Sequence, residues 1–145
     1  RFNTRAGRKG PSTDRGQRAL AALARAAEAG VAGHQRALEA MLKTAKGGPL
    51  TNDAEAEFYR VRGYLYAWRI LIGAYGEDLP PKRRARMNGQ IEAARAALAA
   101  GADFEPMFLV TPFVGKGGPL EILTRKVSGA GPVLHALADA AEAPR

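Results

Sequence analysis

The stretch from residue 58 to residue 75, FYRVRGYLYAWRILIGAY, is the feature that most limits what this chain can fold into. It holds six of the ten aromatic residues of the sequence. Ile70 and Leu71 widen its apolar stripe, so we expect this helix to contact partners on more than one side. The stripe itself repeats at intervals of 3, 4, 3, 4 and 3, which is typical of one side of an α-helix: Phe58, Val61, Leu65, Trp68, Ile72 and Tyr75. We therefore predict a mainly α protein, a small bundle of four or five helices around this central aromatic helix.

Apolar periodicity predicts further helices on either side of the central one. Residues 14–29 and 32–46 are predicted as two helices, because Gly30 and Gly33 each disfavour a helix by about 1 kcal/mol relative to Ala. One long helix is the alternative. After the central helix, Asp78 can cap the next one, whose apolar edge is formed by Met87, Ile91, Ala94 and Leu98.

The sequence changes character after residue 101, where Pro and Gly accumulate and the helical period is lost. Residues 107–114 and 119–127 could form a loose β-hairpin, although their prolines equally favour edge strands or plain extended chain. The predicted organisation is a flexible basic arm (1–11), a helical core domain (12–101), an extended Pro/Gly-rich segment (102–131), and a short C-terminal helix with its tail (132–145).

The positive charge of the chain is concentrated in two places. The formal net charge is +8, and the sequence pI is about 10.3. Residues 1–18 contain six positive residues against Asp14 alone, and residues 82–86 contain four with no acid. The rest of the chain is almost neutral. A field of this sign favours polyanions such as nucleic acid, an acidic protein or an anionic membrane surface.

These two patches are the predicted polyanion-binding residues. In the arm they are Arg1, Arg5, Arg8 and Lys9, and at the start of the helix after residue 81 they are Lys82, Arg83, Arg84 and Arg86. Four cations in a first helical turn oppose the helix dipole, which is easier to explain if they meet an anion. The alternative for both patches is a solvated surface that binds no partner.

A second pattern runs beside the main stripe of the aromatic helix. Tyr59, Arg62, Tyr66 and Arg69 repeat at intervals of 3, 4 and 3. Tyrosine and arginine both suit protein interfaces, where a flat face and a polar end are useful. We predict a protein–protein interface along this line. The alternative is that the tyrosines edge the core and the arginines cover them by cation–π contact.

No catalytic, metal or cofactor site is predicted. The chain has no Cys, which excludes disulfides and thiolate metal sites. His135 and Asp139 stand at i and i+4, yet no third metal ligand is suggested. No residues are spaced as a catalytic triad or as an acid/base pair.

The function predicted from these features is non-enzymatic: a structural or assembly component of a large complex, such as a virion or another nucleoprotein particle. Its expected partners are other protein subunits and nucleic acid, and a homo-oligomer is compatible with the pattern. A free-standing DNA- or RNA-binding module is the alternative, and a small enzyme is the third reading. No transmembrane or secretory segment is predicted, so localisation stays open. Because the chain begins at Arg1, either processing removes a leader or the true start lies upstream.

Overall fold

The computed structural model describes residues 11–44, 52–106 and 117–143. Within these ranges there are four α-helices and no strand: α1 (Pro11–Thr44), α2 (Asn52–Glu77), α3 (Pro81–Ala102) and α4 (Pro119–Glu142). They pack together as a bundle, which confirms the predicted helical fold.

Each helix runs antiparallel to the next. Tyr64 of α2 lies against His34 of α1, and Phe58 near the start of α2 contacts Phe104 just after the end of α3. Helix α4 lies against α3 and makes its most extensive contact with α1, so the four helices form a closed ring. Helix α2 contacts α1 and α3 and hardly touches α4. It therefore occupies one corner of the bundle, and its predicted central position is not confirmed.

The core consists of the inner faces of all four helices. In α2 the buried residues include Phe58, Val61, Leu65 and Ile72, as their spacing predicted. Trp68 is only partly buried against this core, and Tyr75 is 38% exposed. In α3 the predicted edge is buried in full: Met87, Ile91, Ala94 and Leu98. Burial of each such large side chain stabilises the fold by about 1.5–3 kcal/mol.

Helix α1 does not break at its glycines. It continues as one helix from Pro11 to Thr44, so the prediction of two helices is wrong and its alternative is correct. The reason lies in α2: a β-carbon placed on Gly30 would lie 1.6 Å from the Tyr64 hydroxyl oxygen. Gly30 thus makes room for a tyrosine of the neighbouring helix, and the packing offsets the low helix propensity of glycine.

The start of α3 also differs from the prediction in one respect. Pro80 occupies the N-cap position and Pro81 the first turn, while no side chain caps the helix. The predicted capping role of Asp78 is therefore wrong, although Pro81 lies in the first turn, where proline is favoured.

The largest correction concerns the C-terminal third. Residues 119–131 are helical, because α4 runs through from Pro119 to Glu142 with Pro132 inside it. The extended assignment of these residues and a helix start at 132 are therefore wrong. Residues 107–116, the rest of the predicted hairpin, lie outside the described residues. Among the helices described, none has the length and apolar character needed to cross a membrane.

Candidate functional site

The antiparallel ring brings the starts of α1 and α3 to the same end of the bundle, together with the ends of α2 and α4. Gln17 of α1 lines a shallow cavity there with Arg83, Arg86 and Met87 of α3, and Ala140 and Ala143 of α4 close it. Gly16 of α1 lies close to Leu79, a residue of the loop that connects α2 to α3. We call this surface the basic end, because six described positive residues (Arg15, Arg18, Lys82, Arg83, Arg84 and Arg86) outnumber its four described acids, Glu77, Asp78, Asp139 and Glu142.

The predicted cluster at the start of α3 is largely open to solvent. Lys82, Arg84 and Arg86 are exposed, and Arg83 is partly buried at the cavity. The first turn of α3 has no acidic residue, so its positive dipole end is not offset within the helix. Arg84 Nη2 donates a hydrogen bond to Leu79 O at 3.4 Å, which is a weak tether. The described carboxylates form no ion pair with Lys82, Arg84 or Arg86.

The arm residues Arg1, Arg5, Arg8 and Lys9 lie outside the described residues. Helix α1 nevertheless begins at Pro11, so the arm joins the bundle at the basic end. The start of α1, which follows the arm in the sequence, and the cluster on α3 therefore lie at the same end of the described bundle. Arg15 and Arg18 belong to this surface too. The sequence counts them in its N-terminal charge, and the fold places their part of α1 at the same end of the bundle as the start of α3.

A second surface lies on the side of α2 that faces away from the bundle. The large hydrophobic residues that the described structure leaves exposed are all on this helix: Tyr59, Tyr66, Ile70, Leu71 and Tyr75. Gly63, Ala67 and Ala74 lie between them and are also exposed. These eight residues are the outer face of α2. Contiguous exposed apolar patches mark interaction sites, whereas apolar residues that are exposed singly are ordinary.

Two arginines predicted for the interface turn toward α3 instead of outward. Arg62 Nε donates to Ala102 O at 3.1 Å, and Arg69 Nη1 lies 2.6 Å from Asp103 Oδ2. Each also stacks on a tyrosine, with Arg62 Cζ 5.9 Å from the Tyr59 ring centre and Arg69 Cζ 5.1 Å from that of Tyr66. Each arginine therefore contacts both a tyrosine of α2 and the C-terminal end of α3. Tyr59 and Tyr66 remain about half exposed.

The described residues contain one buried carboxylate, Glu57, which is 5% exposed. His34 Nδ1 lies 3.1 Å from its Oε1, and Arg60 forms an ion pair with its other oxygen. The His34 ring packs edge-on against Tyr64 with the ring centres 4.6 Å apart. Partners on two helices satisfy this carboxylate, which is the arrangement that a buried charge needs to be tolerated. The group ties α1 to α2.

No family model, no curated protein and no solved structure matches this chain. Function is therefore inferred from the basic end and the outer face of α2. Sequence reasoning found the cluster on α3, Tyr59 and Tyr66. It missed Ile70, Leu71 and Tyr75, which it assigned to the core stripe. The spacing of Tyr59, Tyr66 and Ile70 at i, i+7 and i+11 is a helical line in its own right and could have identified them.

Proposed function

We propose that the protein is a non-enzymatic structural or assembly component of a large complex, a virion or another nucleoprotein particle. In this proposal the outer face of α2 contacts a protein subunit, and the basic end faces nucleic acid or another polyanion. The observation that carries it is the concentration of large exposed apolar side chains on a single helix. A protein that works alone in solution gains nothing from such a face, because it promotes association.

The basic end supports the second half of the proposal. Exposed Lys82, Arg84 and Arg86 lie at the same end of the bundle as the start of α1, which in the sequence follows a positively charged segment. Phosphate contacts made by such residues supply affinity without sequence selectivity, as packaging a nucleic acid requires. The same surface also favours the second candidate, a free-standing DNA- or RNA-binding module, for which the isolated chain would bind nucleic acid tightly with no other subunit present.

Charge removal at the basic end tests the polyanion half. Replacing Lys82, Arg84 and Arg86 with Gln should leave the melting temperature unchanged or slightly raised, because repulsion at a helix N-terminus is relieved. The same variant should bind a short duplex and an RNA more weakly. The slope of log K against log salt should flatten by about one unit for each phosphate group that the variant leaves unneutralised.

The matched control removes the same charge elsewhere. Arg36, Lys43 and Arg125 are exposed and lie away from the basic end, so their replacement with Gln should leave most of the affinity intact. Equal affinity and equal salt slope for the two triple variants would refute a role for the basic end. Fractionation of native material tests the assembly half, since a component should co-migrate with a particle many times its own mass.

A further inference from the structure

The middle of the outer face of α2 has no charged side chain that would oppose its burial against a partner. Between Gly63 and Gly76 the only charged residue is Arg69. Its guanidinium is bound to Asp103 and stacked on Tyr66. Nothing in the described chain covers this face, so the hydrophobic effect favours its burial against a partner.

The shape of the face suits another helix. Successive residues of an α-helix are about 100° apart, so Gly63, Ala67 and Ala74 form a low middle line. The larger side chains on one side of this line are those of Tyr59, Tyr66 and Ile70. Those on the other side are Leu71 and Tyr75. A β-carbon placed on Gly63 would meet no atom within 4 Å. A large side chain from a facing helix therefore has an open notch to enter.

The charges at the two ends of the face identify the partner. Arg60 and Asp78 are eighteen residues apart, which is five full helical turns, so they lie on the same line of the helix. Asp78 follows the last residue of α2, yet its N–H still bonds to Ala74 O at 3.1 Å. The Arg60 side chain is 66% exposed although its Nη1 pairs with Glu57, and Asp78 is exposed as well. One end of the line is thus positive and the other negative.

When a second copy of α2 is turned end to end, its charges are complementary to those of the first copy. A second α2 laid antiparallel across the first, with the two-fold axis level with Arg69, midway between Arg60 and Asp78, places Arg60 of each copy beside Asp78 of the other. The same axis brings Leu71 of one copy to Ala67 of the other, and Tyr75 level with the Gly63 notch. Isologous two-fold contact of this kind is the commonest form of protein self-association.

We propose that the occupant of the outer face of α2 is a second copy of this chain, bound antiparallel through two Arg60–Asp78 ion pairs. The inference rests on the protein-docking half of the proposed function and names the partner. One helix face buries less than the roughly 800 Å² per partner of a standard interface. Association is therefore expected at the weak, micromolar end, strengthened where many copies are held together in a particle.

Charge reversal with a mixing step tests the proposal. Sedimentation of the wild-type chain from about 1 to 500 µM should show a monomer–dimer equilibrium. Arg60→Glu and Asp78→Arg, each alone, place like charges together at both ends of the interface, so each should weaken the dimer at least about tenfold. An equimolar mixture of the two variants should restore it, because both junctions of the mixed dimer then pair opposite charges.

Three further variants complete the test. Arg36→Glu reverses an exposed charge on α1 and should leave the dimer unchanged. Because Arg60 also pairs with buried Glu57, circular dichroism must show that Arg60→Glu is folded. If it is not, Leu71→Asp, which disturbs no ion pair, should abolish the dimer on its own, and Ala136→Asp on exposed α4 surface should not.

A wild-type chain that stays monomeric at 500 µM would overturn the proposal, and so would a dimer that survives both reversals or a mixture that fails to associate. These outcomes are separable from failure of the proposed function. A monomer that co-migrates with a particle, and no longer does so after Leu71→Asp, would leave the docking function standing with a different subunit. A dimer that never joins a particle would remove the assembly function and keep the dimer.

Discussion

At the scale of single residues, two glycines three positions apart in α1 have different roles. Gly30 faces Tyr64, whose hydroxyl group donates a hydrogen bond to Ala26 O at 3.5 Å, and burial raises the pKa of Tyr64 above its ordinary value. Gly33 has open space where its β-carbon would be. The sequence treats the two as equal helix breakers, but in the fold only Gly30 is required for the packing of α1 on α2.

We predict opposite effects from the same substitution at these two sites. Gly30→Ala should lower the free energy of unfolding by about 1–3 kcal/mol, because its methyl group would overlap the rigid Tyr64 ring. Gly33→Ala, the matched control, should raise it by up to about 1 kcal/mol through helix propensity alone. Urea unfolding of both variants checks this, and similar changes at the two sites would mean that Tyr64 does not occupy the Gly30 position.

At the scale of helices, α4 shows why proline misled the sequence interpretation. Gly118 is its N-cap and Pro119 is in its first turn, where the missing N–H of proline is harmless. Pro132 lies on the exposed side of the helix, so it loses one backbone hydrogen bond without disturbing the core. The buried residues continue across it at helical spacing: Leu120, Leu123, Val127, Ala130, Leu134 and Leu137. Burial of this continuous face outweighs the cost of one proline.

Pro132→Ala should therefore stabilise the protein. Alanine restores the hydrogen bond from residue 132 to the carbonyl of Ser128 and removes the steric clash, for a gain of about 1–3 kcal/mol after the greater freedom of the unfolded chain is included. A thermal melt followed by helical circular dichroism measures it. Pro144→Ala, beyond the end of α4, is the control and should change little. An unchanged or lower melting temperature for Pro132→Ala would argue against a continuous α4.

At the scale of the whole molecule, Arg25 links the first helix to the last. Its guanidinium lies 2.6 Å from Asp139 Oδ1 and 3.0 Å from Glu142 Oε2, which ties α1 to the end of α4. His135 Nδ1 lies 2.9 Å from Arg25 Nη1 and 2.9 Å from Glu28 Oε1. The hydrogen bond from Arg25 holds the pKa of Glu142 below its ordinary value of 4.5.

This network predicts an acid-sensitive contribution to stability. A carboxyl group whose pKa is lowered by folding stabilises the folded state above its unfolded pKa, and this contribution is lost as pH falls through its folded pKa. Stability should therefore decline below about pH 4.5, and Arg25→Gln should flatten that decline. Arg125→Gln, which breaks an exposed pair within α4, is the control. Parallel stability curves between pH 3 and pH 7 for wild type and Arg25→Gln would contradict the prediction.

The sequence by itself determined the helical class, the buried faces of α2 and α3, and the two positively charged segments. These depend on local spacing and composition, which the chain carries wherever it folds. The sequence could not determine that α1 continues past Gly30, because this depends on a tyrosine thirty-four residues away. It also could not determine that α4 includes residues 119–131, because the burial that stabilises this helix outweighs its local proline and glycine signals.

Only the tertiary structure decided that the remaining large apolar residues of α2 face outward. Ile70, Leu71 and Tyr75 suit a core as well as a docking face, and the choice rests on where α1 and α3 lie. The tertiary structure also placed the start of α1 and the start of α3 at the same end of the bundle. Antiparallel packing decides which helix ends meet, and no local pattern contains that information. The basic end and the outer face of α2 are thus products of how the helices assemble.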